Sequence, residues 1–421
     1  MTITDTDTAA PPDRLPRSYL VWLAGSRASL LGDAALHFAL GWAAGVHGGR
    51  VAALVLTAIT LPRTALLLVG GAVAERFGVR RVLLVGDAVM LAATLLLAPA
   101  GHGPERSPWF LVAVAALIGT VDAFYLPASG AMPRRLVGRA LLPRALAVQQ
   151  AGSQVTALLG APLGALLVTV AGLGGAALVD AASFALVLLV LVRLRPTVDV
   201  LPADESLPAP DGRPTAQSLP TAIADGLRLA VRDRTLRPAL LLTSAAAASL
   251  LPVVSLVSPL LARERGWGAQ AAGLVAGGQS AAIIAVSLLI ARRGPLRRPG
   301  VGACGGLCLA AVGVAGLAAA SGATTAVAAG TVLGLGSGLF AAHIGPLVLG
   351  RAPESHLARV QSVLTLVQSA ALVAANNLLG SIAEARGATM AAAVCAVAAA
   401  VSGLAGLASP ALRAAEVPVR A

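Results

Sequence analysis

Lysine is missing from this sequence: all 31 of its basic residues are arginine. That absence excludes a P-loop, whose lysine reaches the nucleotide phosphates, and with it an ATP-driven pump of that kind. Schiff-base catalysis by lysine is excluded too. Charge of either sign is scarce, at 12% of 421 residues against 57% hydrophobic, and mean hydropathy is +0.84. An ordinary soluble domain is about 25% charged, so this chain belongs in lipid. Cysteine is nearly absent. Cys304, Cys308 and Cys395 lie inside apolar runs with no histidine or acid at ligand spacing, and read as packing residues rather than a metal site. No cleavable signal is expected, since Asp5, Asp7 and Asp13 make the N-terminus acidic. The first apolar run is therefore expected to act as its own insertion signal.

Long apolar runs fill the rest. A membrane-spanning helix needs about 20 mostly apolar residues, and no charge occurs between Arg298 and Arg351, from Val360 to Ala383, or from Gly387 to Leu412. These runs do not alternate with polar residues as barrel strands do. Spans are predicted near 18–44, 51–73, 80–99, 109–131, 143–171, 174–194, 236–262, 268–291, 299–320, 324–350, 357–383 and 388–411. The expected fold class is an all-α membrane protein with twelve transmembrane helices in two six-helix bundles and both termini cytoplasmic. Arginine placement sets that orientation, with 24 arginines falling inside and five outside. The net charge of +12 thus reports topology rather than a nucleic-acid surface, and no nucleic-acid partner is expected.

The chain divides into a disordered tail over 1–17, an N-terminal bundle over 18–194, a cytoplasmic linker over 195–235, a C-terminal bundle over 236–412 and a tail over 413–421. In the linker, Ile223, Leu227 and Val231 follow Thr221 at helical spacing, which suits either an amphipathic helix on the membrane surface or a plain solvated connector. An internal repeat supports the two halves. Gly138-Arg139-Ala140 with Val148-Gln149 recurs as Gly350-Arg351-Ala352 with Val360-Gln361, 212 positions later throughout.

Ionisable groups inside a membrane are costly and mark functional candidates. In the first span Ser26, Ser29, Asp33 and His37 share a narrow arc, and Asp33 is the leading candidate for a proton-coupling or cation-recognising carboxylate. His37, one turn on, relays that proton or simply packs. Asp87 and Asp122 are further candidates, with Tyr125 on Asp122's face, while Asp180 is expected near the outer rim of the sixth span. Gln150, Gln154, His343, Gln368 and Asn376 are candidate cavity-lining residues; interhelical hydrogen bonding is the alternative role for these amides. The second half holds no mid-membrane acid, so its wall suits amphipathic cargo. Between Gly334 and Gly338 the glycines read as close helix packing and not a nucleotide loop.

One loop is specific. After the second span comes Gly71-Ala72-Val73-Ala74-Glu75-Arg76-Phe77-Gly78-Val79-Arg80-Arg81, which resembles the major facilitator signature G-x-x-x-D-R-x-G-R-R with Glu75 in place of Asp. The resemblance implies that Gly71, Glu75, Arg76, Gly78, Arg80 and Arg81 form a conformational latch between the two halves in the outward-facing state. Arg27-Ala28-Ser29-Leu30-Leu31-Gly32-Asp33, Leu126-Pro127-Ala128-Ser129 and Asp180-Ala181-Ala182-Ser183-Phe184 look like the drug:H+ antiporter branch that includes macrolide-efflux and enterobactin-exporter-like proteins. Gly160, Pro162 and Gly164 are similar to the antiporter G-P-x-x-G pattern. That branch's fourth-helix arginine is absent, and Asp122 is the only charge in the fourth span. What the resemblance implies is a monomeric, multi-pass secondary transporter of a bacterial inner membrane. It would export a drug, natural product or siderophore in exchange for protons, without cofactor or enzymatic activity. An importer or uniporter of a small metabolite and a non-transporting membrane sensor are the alternatives.

Overall fold

A computed structural model describes residues 14–99, 107–193, 236–351 and 357–414, and the regular elements among them are helical. In lipid no water is present to take backbone N–H and C=O groups, so each apolar run closes its hydrogen bonds within itself, and the helix does this. The main elements are α1 (Arg17–Ala44), α2 (Gly49–Phe77), α3 (Val79–Leu97), α4 (Pro108–Ala131), α5 (Leu142–Arg193), α6 (Leu236–Glu264), α7 (Gly268–Arg293), α8 (Pro299–Ala319), α9 (Ala323–Arg351), α10 (Leu357–Arg386) and α11 (Ala388–Ala408). Ten of them are long and apolar enough to cross a membrane. The exception is α3, which carries Arg80, Arg81 and Asp87 within 19 residues. The linker with its amphipathic segment, and most of both tails, lie outside the described residues.

Two irregularities shape the helices. Gly172, at φ 65°, breaks the 52-residue α5 into limbs 142–171 and 173–193, where a left-handed backbone suits glycine alone. In α6, Pro252 supplies no N–H and Val253–Val257 widens into a π-helical turn. Hydroxyls inside the helices bond back to the preceding turn, as Thr60 does to the Leu56 carbonyl at 2.9 Å and Thr243 to Ala239 at 2.7 Å. Leu96, Val170, Leu241, Val312 and Val397 point outward and exposed, the surface that lipid requires.

Helices before residue 194 pack on one another, α1 with α5 and α2 with α4; after 236, α8 packs with α9 and α11, and α7 with α9. The α2–α4 crossing is backbone on backbone, since a Cβ at Gly119 would strike the Ile59 carbonyl oxygen. Gly119→Val is therefore expected to cost about 1–3 kcal/mol by overpacking, read as a lowered unfolding midpoint in detergent. Gly130→Ala, with nothing within 4 Å of the new Cβ, is the neutral control.

Two contact zones join the sets, α2 with α10 and the first limb of α5 with α7. In the second zone the Ser280 hydroxyl donates to the Ala157 carbonyl at 3.1 Å, while other polar contacts between the sets gather at the end where α1 finishes and α2 begins. The Arg50 guanidinium lies 3.7 Å from Glu384, Asn377 donates to the Thr57 hydroxyl at 2.9 Å, and Arg263 donates to the Trp42 carbonyl at 2.7 Å while stacking 4.3 Å over its ring. Away from that end the sets enclose a cavity.

Candidate functional site

The cavity holds about 760 Å³, within the range of small-molecule sites. Leu56, Ile59, Leu250, Val254, Phe340 and Leu372 make most of its wall apolar. The π-helical turn of α6 turns Val254 and Ser255 into it. Its polar groups come from both sets: His37, Thr60 and Arg63 on one side, Gln279, Ser337, Gln368 and Asn376 on the other. Asn376 is 1% exposed, and its amide oxygen has no partner among the described residues.

Beside this wall lies a cluster of acids. One donor atom each from Asp33, His37 and Asp122 falls within 4.8 Å of the others, with His37 Nδ1 at 3.4 Å from Asp33 Oδ2 and 2.7 Å from the Asp33 carbonyl. Asp33 Oδ1 and His37 Nε2 are buried without partners among the described residues. A third carboxyl joins them, contrary to the outer-rim position its place in the run predicts. Asp180 is fully buried, with Oδ2 unpartnered and Oδ1 accepting from Ser183 at 3.3 Å, and it interacts electrostatically with Asp33 and Asp122. The reason is Gly32 on α1, where a Cβ would sit 2.7 Å from Asp180 Oδ1 and 2.6 Å from Ser183 Oγ; hydrogen in that place lets the second limb of α5 lean in. Arg63 reaches Asp33 and Asp122 electrostatically. Two carboxyls and an imidazole at this spacing, with a third carboxyl and one guanidinium in electrostatic reach, can take up and pass protons, or hold a small cation.

A second polar group is stacked along α1. Asp87 is fully buried and faces Tyr125, whose ring packs against Gly86. Tyr125 interacts in turn with Arg27, which donates to Ser153 at 2.6 Å. Asp87 and Tyr125 thus lie inside the first set and not on the cavity wall.

Other predicted residues are placed as follows. Gln368 and Asn376 line the cavity, as does His37. Tyr125, Gln150, Gln154 and His343 do not. Gln150 is exposed on α5. His343 is drawn away by Gly302, which leaves room for its ring: Nδ1 pairs with the Leu339 carbonyl at 2.8 Å, and Nε2 accepts from the Leu296 N–H at 3.1 Å. It pins the connection before α8. In the loop motif, Gly78 turns at φ 90°, and a Cβ at Gly71 would meet nothing within 4 Å among the described residues. Glu75, Arg76 and Phe77 are exposed, and Arg76 stacks 5.6 Å over Phe77. Arg80 caps the second limb of α5 through the Leu191 carbonyl at 2.8 Å and that of Val192 at 3.1 Å. Gly160 and Gly164 let α5 approach Ala34 and Ala35 of α1, while Pro162 packs against Gly273 and Gly277 of α7. Sequence reasoning missed Arg63, Asp180 and Gln279 as site residues. For the first two the signal was present: each is a lone charge within an apolar run.

A family model described as Major Facilitator Superfamily matches residues 24–376. No curated protein sequence matches the chain significantly. Among solved structures, a mutant of the nucleoside transporter NupG superposes with a TM-score of 0.74 at 13% identity, over 94% of this chain and 100% of that one. A POT family transporter bound to a thioalcohol-conjugated peptide gives 0.73 at 15% identity, over 94% and 97%. A mutant of the peptide transporter POT bound to sulfate gives 0.70 at 17%, over 94% and 95%. At these identities the likeness is one of fold.

Proposed function

Because the chain belongs to the Major Facilitator Superfamily, and its structural neighbours are transporters rather than enzymes, we propose that it exports a small amphipathic compound by alternating access in exchange for protons. One observation carries this reading. The carboxyls of Asp33, Asp122 and Asp180 cluster beside the cavity while His37 belongs to both. Proton and cargo then occupy separate sites that share a side chain, and occupancy of one is felt by the other. Asp33 exchanges the proton, His37 relays it, and Asp87 with Tyr125 continues the protonatable path along α1.

The proposal includes twelve spans, counting α5 as two limbs and α3 as a crossing helix, with both termini and the arginine-rich loops in the cytoplasm. Contacts between the sets at the Arg50–Glu384 end then close the outer side, and the exposed Glu75–Phe77 segment is a latch released in this inward-facing state. Export is supported by the stretch from Gly160 to Gly164, which resembles the antiporter pattern of the drug:H+ branch and lies where α5 meets α1 and α7. A monomer in a bacterial inner membrane completes the reading.

Uptake together with protons is a second reading, favoured by Arg63. It lines the cavity and also feels Asp33 and Asp122, so protonating those carboxyls would leave its charge uncompensated and favour an acidic cargo. Flux in vesicles separates the two. Everted vesicles with an inside-acid gradient are expected to accumulate compounds to which expression confers resistance, and a protonophore to abolish the accumulation. Accumulation in right-side-out vesicles instead would establish uptake, and gradient-independent flux in both would sink proton coupling.

A further inference from the structure

We infer that the cavity recognises amphipathic organic anions, with Arg63 holding the acidic group. The inference deepens the transport reading by naming its cargo class; it rests on this cavity being the cargo site and not on the direction of transport. Arg63 lies within α2, inside the apolar wall. A guanidinium there is costly unless it is paired or serves a ligand. Yet among the described residues it makes no hydrogen bond and no salt bridge; Asp33 and Asp122 act on it only at longer range. Its fork of five N–H donors, the geometry that matches a carboxylate, sulfonate or phosphate, is unspent.

The rest of the wall agrees. No carboxylate lines the cavity among the described residues: Asp33 Oδ1 and Asp180 Oδ2 are buried behind it. A cationic amphipath entering this space would meet Arg63 with no counter-charge on the wall. The second helix set brings only neutral polar groups to the cavity among the described residues: Asn376 and Ser337, each with a buried oxygen that has no partner there, and the amides of Gln279 and Gln368. Amides present donors once their orientation is set by a ligand. One guanidinium, neutral polar groups and a mostly aliphatic wall describe a ligand with one anionic end and an apolar body. Of the two roles that the sequence offers Asp33, this favours proton coupling over recognition of a cation, for the reason that the fold turns the acids into the first set and leaves the arginine facing the cavity.

The test uses three probes with one apolar body, 2-naphthylacetate, its methyl ester and 2-(2-naphthyl)ethylamine, with the full chain in lipid nanodiscs. Wild type is expected to bind the acid roughly tenfold or more tightly than either other probe, a difference of about 1.4 kcal/mol. Arg63→Gln should bring the acid to within about threefold of the ester, the residue of a lost charge-assisted contact, while ester binding stays unchanged and thereby reports an intact site. If Arg63→Gln loses the ester as well, Arg63→Lys decides: it is expected to keep a preference for the acid, and a variant with none overturns the inference. Equal binding of amine or ester to wild type, or an undiminished preference in Arg63→Gln, also overturns it and leaves the transport reading standing. Failure of wild type to bind any probe would instead count against both.

Discussion

Asp180→Asn is expected to lower gradient-driven flux roughly tenfold or more, as removal of an intramembrane ionisable group from a proton path should, and at the same time to make the protein more stable. The two effects share one cause. Asp180 is fully buried, has one oxygen without a partner among the described residues, and interacts electrostatically with Asp33 and Asp122, while Arg63 interacts with those two acids and forms no salt bridge among the described residues. Three carboxyls held together must carry protons or repel. An amide keeps the shape and the bond from Ser183 at 3.3 Å but neither titrates nor repels. Relief of like charge worth about 1 kcal/mol would raise the unfolding midpoint of a 421-residue chain by roughly 1 °C, the trade of stability against activity that functional sites display. Flux by vesicle assay and unfolding by thermal scanning in detergent measure the two quantities. Flux within twofold of wild type, or a lowered midpoint, would remove Asp180 from the proton path. Asp180→Ala serves as contrast: it loses flux as well, but it vacates packed volume and should lower the midpoint.

Tying the Arg50–Glu384 end shut is expected to stop transport altogether. Arg50 and Glu384 bridge α2 and α10, their ion pair 3.7 Å long with side chains 65% and 40% exposed. So open a pair contributes under about 1 kcal/mol, and cysteines at the two positions should each leave flux near wild type in a chain with Cys304, Cys308 and Cys395 replaced. A short, reducible bifunctional thiol reagent then converts a weak contact into a covalent one. Below that bridge the backbones of Gly49 and Gly380 touch, and Asn377 bonds to Thr57, so the link would hold the whole zone closed. Flux is expected to fall to background after cross-linking and to return on reduction. Persisting flux in fully cross-linked protein would mean that cargo does not leave through this end.

Helix positions in this chain follow from local chemistry. Residues 299–319 fold as α8 because an uncharged run in lipid must satisfy its own backbone, and the break at Gly172 is a single residue's φ preference. Such facts depend on neighbours in sequence, and they are legible there. The loop motif is legible too, because a turn at Gly78 needs only its own glycine. Much of the candidate site depends on where helices cross. Asp33 and His37 are one turn apart and could be paired from sequence alone. Asp180 enters their cluster only because Gly32, 148 residues away along the chain, leaves space for it. His343, an intramembrane histidine and so a candidate by its type, is diverted to the Leu296 N–H by the room at Gly302.

By itself, then, the sequence determines that this protein lives in lipid, which stretches become helices and which intramembrane charges need an explanation, since each of these is a property of a run or a single residue. Tertiary structure decides which of those charges meet, that Asp180 lies behind the cavity wall and Arg63 on it, and that the two helix sets touch at the Arg50–Glu384 end. The physical reason is that the angle and closeness of a helix crossing are set by the small side chains of both partners at once, and one helix's sequence contains only half of that contact.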